Sequence, residues 1–135
     1  MPEAKVSQVR HVFVYGTLRR GEDNDITRLL PPPRFVGLAQ ILGTMYDLGT
    51  YPGVRLGGRS TVLGEVYEIS PALEAVLDEI EEVYPQERDE YVKRVIPVSV
   101  QGRVLSCIVY EIGLRYVHGK AVLPDGDWTR RSPAL

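Results

Sequence analysis

The sequence contains few of the residues that build disulfides or metal sites. Of its 135 residues one is a cysteine, Cys107, and two are histidines, His11 and His118. A single cysteine can form neither an internal disulfide nor a cysteine-based zinc cluster within the chain. Two histidines are too few for most histidine-rich metal sites. We therefore expect no metal site.

Long apolar runs and a strong charge of one sign are also missing. No stretch approaches the roughly 18 apolar residues of a membrane span, and the first eleven residues lack the apolar segment of a signal peptide. The net charge is −2 and the isoelectric point is near 5.7. This balance does not suit general binding to nucleic acid or to a membrane surface. We expect a cytoplasmic protein that binds neither.

The length and composition are those of one globular domain. The chain is 44% apolar and 25% charged, which is ordinary for a folded domain of this size. We find no linker, internal repeat or low-complexity segment. The sequence therefore predicts a single domain over residues 1–135, with a core from about 10 to 112 and an irregular C-terminal tail.

Alternating and β-branched runs predict most of the chain to be strands. The predicted strands cover residues 11–15, 35–48, 61–69, 91–100 and 103–111. The segment 35–48 is interpreted as one or two strands bent at glycines. Gln101-Gly102 suits a hairpin turn, and the clusters 49–53 and Gly57-Gly58 indicate further turns.

One helix is predicted clearly and a second is doubtful. Ser70 suits an N-cap and Pro71 the first helical position, and Leu73, Leu77 and Ile80 are spaced as one core-facing stripe. Tyr84-Pro85 should end this helix. Asn24 or Asp25 could cap a brief helix that ends before the triple proline at 31–33. The sum is an α+β fold with roughly six short strands.

The segment Tyr15–Leu18 is the first candidate for chemistry. It ends a predicted buried strand with a glycine and presents successive backbone N–H groups, which can hold a carboxylate or oxyanion. The alternative is an ordinary tight turn. A phosphate-binding loop is excluded, because Glu22-Asp23 follows Gly21 where that loop needs Lys and then Ser or Thr.

Glu81 is the second candidate. At about 100° per residue it lies at the margin of the helix's apolar stripe, whereas Glu82 points away and Asp78 and Glu79 lie off to the sides. Partial burial and the helix C-terminus would both raise the pKa of Glu81 toward that of a general base. The alternative is that all four acids form a solvated face.

Other reactive side chains carry weaker signals. Eight tyrosines fall mostly on strands, where they pack in the core or line a polar pocket. Cys107 alternates with Leu105 and Val109 on one strand face and is interpreted as a buried apolar residue. No serine stands in the G-x-S-x-G context of a serine hydrolase.

Taken together, several motifs resemble the γ-glutamylcyclotransferase-like family, including its short AIG2-like prokaryotic members. In chain order, the matching stretches are Val12–Gly21, Tyr46–Val54, Val62–Tyr67, Leu77–Glu81, Tyr91–Arg94 and Gly126–Trp128. Each stretch is a weak signal alone, but their ordered set covers most of the chain.

The resemblance implies a small mixed β-barrel of about six strands with flanking helices. It implies a pocket that has Glu81 as general base, and backbone N–H groups of Gly16, Thr17 and Leu18 as donors to the substrate. Further pocket residues expected to contact the substrate are Tyr15, Tyr51, Tyr91 and Tyr110. The implied reaction needs no cofactor: the α-amine of a γ-glutamyl group attacks its own γ-carbonyl and releases 5-oxoproline and an amine.

Two departures from the family pattern bear on this interpretation. Glu82 stands where the family often has glycine, and the triple proline at 31–33 could reshape the pocket rim. A non-catalytic binding or regulatory module that keeps the pocket is the alternative function. The partner expected in either case is a small γ-glutamyl compound; its leaving group, and whether the protein forms a homodimer, stay open.

Overall fold

The protein folds around one mixed six-stranded sheet. The computed structural model describes residues 9–81 and 90–130. The strands are β1 (Arg10–Val14), β2 (Arg34–Asp47), β3 (Pro52–Ile69), β4 (Tyr91–Val100), β5 (Arg103–Ile112) and β6 (Ala121–Val122). Their order is β4-β5-β1-β3-β2-β6. The β1–β5 pair is parallel and the other pairs are antiparallel, so the predicted α+β class and strand number are confirmed.

The sheet curls into a half-barrel, which brings β2 close to the β4–β5 hairpin. At Gly37 in β2 an added Cβ would lie 2.9 Å from Val100 Cγ2 and 2.8 Å from Gln101 Nε2. A glycine is needed there because the two edges approach too closely for a side chain. Gln101 and Gly102 both have positive φ, as expected for the tight turn predicted at this position.

The prediction of a turn at Gly57-Gly58 was wrong. Strand β3 runs through both glycines, although their φ values are 93° and 84°. Leu42 pairs with Thr61 and the next residue, Gly43, pairs with Leu56, so residues 57–60 bulge out of the ladder. Positive φ suits a bulge as well as a turn, and β3 therefore begins at Pro52 rather than near 61. In β2 the predicted glycine bends are confirmed as register shifts at Gly37 and Gly43.

The described residues contain one α-helix, α1 (Pro71–Ile80). It begins as predicted: the Ser70 hydroxyl accepts a 3.1 Å hydrogen bond from the Leu73 amide, and Pro71 takes the first helical position. Leu73 and Leu77 are fully buried against the sheet. The predicted stop at Tyr84-Pro85 lies outside the described residues, as does Glu82. Glu81 is the C-cap.

Short 3-10 turns complete the structure, at Ile26–Arg28, Leu114–Val117 and Trp128–Arg130. The first is the brief helix predicted after Asn24 or Asp25, and Asp25 caps it. The tail after β5 is mostly irregular, as predicted, yet Trp128 is 1% exposed and packs in the core with Phe13 and Val62. Among the described residues, no helix is long and apolar enough to cross a membrane.

Candidate active site

A pocket of about 260 Å³ opens where β1 ends, between the end of α1 and the starts of β3 and β4. Its volume suits a small molecule rather than a macromolecule. All eight residues that the sequence singled out lie on its wall: Tyr15, Gly16, Thr17, Leu18, Tyr51, Glu81, Tyr91 and Tyr110. The fold thus brings together residues up to 95 positions apart; their roles toward a substrate stay predictions.

In the loop after β1, backbone carbonyl groups accept hydrogen bonds from amides of the segment that follows. Gly16 O accepts a hydrogen bond from the Arg19 amide (2.9 Å), Thr17 O from the Asn24 amide (2.8 Å) and Leu18 O from the Ile26 amide (2.9 Å). Within residues 9–81 and 90–130, the amides of Gly16, Thr17 and Leu18 donate to no turn, loop or side-chain acceptor. Three backbone donors on a pocket wall are suited to a carboxylate or an oxyanion.

Gly16 allows the loop to lie directly on the start of β3. A Cβ at this position would come within 2.6 Å of Pro52 Cγ and 2.8 Å of Pro52 Cδ. Real Cβ contacts are not so short, so any other residue would push Pro52 or the loop aside. The glycine is therefore explained by close packing, in addition to the turn that the sequence indicated.

A buried network of charged side chains anchors the same loop through Arg19. Arg19 Nε donates to Glu65 Oε2 and Arg19 Nη1 to Asp127 Oδ1, both at 2.9 Å, and all three residues are at most 8% exposed. Glu65 Oε1 also accepts from the Arg20 amide (3.0 Å) and from the Tyr67 hydroxyl (2.9 Å). Buried charges are tolerated when they are paired and hydrogen-bonded in this way. Sequence reasoning did not identify this network, although its three members lie in the motifs Val12–Gly21, Val62–Tyr67 and Gly126–Trp128.

The pKa of Asp127 lies below its usual range. Burial opposes ionisation, but hydrogen bonds from the Thr129 hydroxyl (2.6 Å) and amide (3.0 Å) and the charge of Arg19 outweigh it. Asp127 therefore stays an anion and keeps its ion pair with Arg19 at neutral pH.

Tyrosine hydroxyl groups fix the pocket wall. Tyr15 Oη donates to Tyr110 O at 2.6 Å, Tyr91 Oη donates to Pro52 O at 2.8 Å, and the Tyr51 hydroxyl donates to Glu90. Tyr110 Oη in turn donates to Asp78 Oδ1 at 2.8 Å. Each bond ties one pocket strand or loop to another, so the wall is largely preformed.

Burial raises the pKa values of Tyr15, Tyr91 and Tyr110 well above that of a free phenol, and the negative charge of Glu81 acts in the same direction on all three. These phenols therefore stay protonated, and none is suited to act as a base at neutral pH.

Among the described acids at the C-terminal end of α1, Glu81, the C-cap residue, is the one that lines the pocket. Its amide donates to Leu77 O at 2.9 Å, as the last hydrogen bond of the helix, and the residue is half-buried. Glu79 is exposed, and Glu82 lies outside the described residues. Glu81 is thus less exposed than Glu79, and its role as general base stays a prediction.

Asp78 makes contacts with the sheet that were not predicted from the sequence. It was predicted to lie off to the side of the helix, yet its carboxylate accepts from Tyr110 Oη and lies 2.9 Å from Lys93 Nζ. Lys93, on β4, also forms an ion pair with Glu74, which lies on α1 one turn before Asp78. This cluster attaches the last turns of α1 to β4 and β5, and so sets the position of Glu81.

Two further acids, Asp23 and Glu90, also line the pocket and were not singled out from the sequence. The part of the chain that the structure describes has no group of three His, Cys, Asp or Glu placed to hold a metal ion. Cys107 is fully buried, as predicted, and burial raises the pKa of its thiol to about 11.

Comparison with known proteins gives consistent matches. Residues 12–130 match the family model described as "Gamma-glutamyl cyclotransferase, AIG2-like". The γ-glutamylcyclotransferase family protein YtfP of Escherichia coli K12 is 32% identical over 127 residues, which cover 89% of this chain and 96% of YtfP. The solution structure of E. coli YtfP superimposes with a TM-score of 0.60 over 89% of this chain and 96% of that one.

Two other matches extend the range of organisms. An AIG2-like protein of Mus musculus superimposes with a TM-score of 0.67 at 27% identity, over 79% of each chain. The γ-L-glutamyl-butirosin B γ-glutamyl cyclotransferase of Niallia circulans is 39% identical over 75 residues, which cover 55% of this chain and 47% of that enzyme.

Proposed function

The chain belongs to the γ-glutamyl cyclotransferase, AIG2-like family, and we propose that it cyclises a γ-glutamyl amine or γ-glutamyl amino acid to 5-oxoproline. One observation carries the proposal. Glu81 and the loop residues Gly16, Thr17 and Leu18 line the same small pocket, which supports pairing the Glu81 carboxylate as base with the loop amides as donors, as this reaction needs.

The first step is binding of the glutamyl head. Its α-carboxylate is held by backbone donors of the Gly16–Leu18 loop, whose carbonyls are already engaged elsewhere. Its α-ammonium lies toward Glu81. Because the nucleophile and the carbonyl belong to one substrate, holding the chain in a folded conformation removes much of the entropic barrier.

Bond formation and cleavage follow. Glu81 accepts a proton from the α-ammonium, and the free amine attacks the γ-carbonyl carbon. The oxyanion is stabilised by a backbone donor of the loop. The C–N bond to the leaving group then breaks as its nitrogen is protonated by the acid form of Glu81. Overall the α-nitrogen loses two protons and the leaving nitrogen gains two, so the reaction balances without a cofactor or added water.

The test is formation of 5-oxoproline by the purified protein from a panel of γ-glutamyl amines and γ-glutamyl amino acids. Glu81→Gln should lower kcat by about 10²–10⁴-fold, the usual contribution of a general base, while ligand binding persists. Glu79→Gln removes an exposed carboxylate in the last turn of α1, two residues before Glu81, and should retain full activity.

Several results would count against this function. One is that no substrate of the panel yields 5-oxoproline. Another is that Glu81→Gln turns over as fast as the wild-type protein. If γ-glutamyl compounds bind to the wild-type protein but none is converted, the non-catalytic binding module is the better description.

A further inference from the structure

The leading segment of β3, residues 52–56, is held in the sheet by strand pairing on one side. There it pairs with β2. On the other side β1 pairs with a later part of the strand, since Arg10–Val14 lie against residues 65–69. The edge of the leading segment that faces away from β2 therefore lies beyond the end of β1. Backbone groups on such an edge need partners from elsewhere in the fold.

Side chains from other parts of the sheet supply these partners at every second residue. The three hydrogen bonds run from Tyr91 Oη to Pro52 O (2.8 Å), from the Val54 amide to Tyr15 Oη (3.3 Å) and from the Leu56 amide to Glu111 Oε2 (2.9 Å). Alternate residues of an antiparallel strand turn their backbone groups to the same edge. Residues 52, 54 and 56 thus form one edge, and side chains take the place of a neighbouring strand along it.

Glu111 is the charged member of this set. The residue is 6% exposed, and its Oε1 accepts a 3.0 Å hydrogen bond from Arg94 Nε. Arg55 Nη1 lies 3.7 Å from Glu111 Oε2 and donates to Ile112 O at 2.9 Å. Because Arg55 and Leu56 are adjacent, β5 holds the leading segment at two successive residues. An ionised carboxylate makes a stronger hydrogen bond to an amide than a neutral hydroxyl does.

The leading segment supports the loop after β1. Its first residue, Pro52, lines the pocket, and Gly16 packs on Pro52 so closely that an added Cβ would lie 2.6 Å from Pro52 Cγ. A shift of the leading segment would therefore move the loop that presents the Gly16, Thr17 and Leu18 amides. Glu111 is not among the described residues that line the pocket, so it acts through this segment rather than by contact with a bound molecule.

We propose that Glu111 is a positioning residue of the cyclotransferase site. By accepting the hydrogen bond of the Leu56 amide it holds Pro52 against Gly16, and so keeps the backbone donors of the loop where the glutamyl head binds. A displacement of about 1 Å that starts far from the reacting atoms can lower a rate by about a hundredfold. This inference rests on the proposed function and adds to it a residue outside the pocket on which turnover depends.

Two conservative variants separate the hydrogen bond from the charge. Glu111→Gln keeps an oxygen within reach of the Leu56 amide but removes the negative charge. Glu111→Asp keeps the charge, but its carboxylate is one methylene shorter and falls short of Leu56. Arg94, whose side chain is 51% exposed, is free to follow the shorter carboxylate. A role through charge alone predicts the greater loss of activity for Glu111→Gln, whereas positioning predicts it for Glu111→Asp.

The measurement is kcat/KM for 5-oxoproline formation, at a temperature where circular dichroism shows each variant to be folded. The value should fall about tenfold or more in Glu111→Asp and stay within about threefold of the wild type in Glu111→Gln. Glu68→Asp is the control, because it shortens another β3 carboxylate, which pairs with Arg34 outside the pocket lining, and it should retain the wild-type value. Equal values for the two Glu111 variants, or a lower value for Glu111→Gln, would overturn the inference.

Hydrogen exchange of backbone amides, followed by NMR, tests the positioning without turnover. In Glu111→Asp the amides of Leu56 and Arg19 should exchange about tenfold faster than in the wild type, because the segment and the loop open more readily. The Glu74 amide, in the first turn of α1, should keep its rate. If the wild-type protein forms no 5-oxoproline, the proposed function fails and these rates alone decide whether Glu111 holds the loop. Wild-type rates for Leu56 and Arg19 in Glu111→Asp would overturn the inference whatever the turnover shows.

Discussion

Arg19 and Asp127 form a 2.9 Å ion pair that joins the loop after the first strand to a residue 108 positions later, near the end of the described chain. Both side chains are at most 10% exposed. Arg19 directly follows the loop that carries the Gly16, Thr17 and Leu18 amides. Through this ion pair, the irregular C-terminal segment helps to hold the pocket loop in place.

We predict that Arg19→Ala destabilises the protein strongly. The substitution leaves Glu65 and Asp127 buried without their cation, which typically costs about 3–5 kcal/mol. Urea unfolding followed by circular dichroism measures the loss. Arg103→Ala, at an exposed arginine of β5, should change the unfolding free energy by less than about 0.5 kcal/mol. A similar small change for Arg19→Ala would mean that the network contributes little.

We predict that the protein loses stability in acid. The folded-state pKa values of Asp25, Glu111 and Asp127 are lowered: burial opposes ionisation, and hydrogen bonds and nearby arginines outweigh it. A lowered folded pKa stabilises the fold above the unfolded pKa of about 4, and this stability is lost as pH falls through the folded value. The unfolding free energy should therefore drop steadily below about pH 4.

The contribution of Asp127 can be separated from the others. Asp127→Asn should make this acid-side loss shallower, because one group with different proton affinities in the folded and unfolded states has been removed. Asp125→Asn, at an exposed neighbour in the same segment, should retain the wild-type slope. Equal slopes for the wild-type protein and Asp127→Asn would contradict the assignment.

We predict that Gly16→Ala damages both stability and activity. Its new methyl group would overlap Pro52, and overpacking of this kind costs about 1–3 kcal/mol. The loop would move away from β3 and displace the backbone donors. Combining Gly16→Ala with Pro52→Ala removes the Cγ and Cδ atoms that clash, so the double variant should recover part of the loss in thermal unfolding and in 5-oxoproline formation. No recovery would show that contact with Pro52 is not the cause.

The sequence correctly predicted those elements that depend on only a few neighbouring residues. The N-cap at Ser70, the apolar stripe of α1 and the hairpin at Gln101-Gly102 follow from backbone preferences and periodicity, and the structure has all three. Gly57-Gly58 shows the limit of such reasoning. A positive φ is compatible with a turn and with a bulge. Because β3 pairs with β2 on both sides of these two glycines, they form a bulge within one strand.

The sequence by itself determined the α+β class, the family, and the candidates Tyr15–Leu18 and Glu81, because these depend on short motifs in a fixed order. Only the tertiary structure decided that Asp78 contacts Tyr110 and that Asp23 and Glu90 share one wall with Glu81. The physical reason is separation along the chain: Asp23 and Glu90 stand 67 positions apart. No local preference of the backbone or side chains encodes the distance between two such residues, so only the packing of the whole domain brings them together.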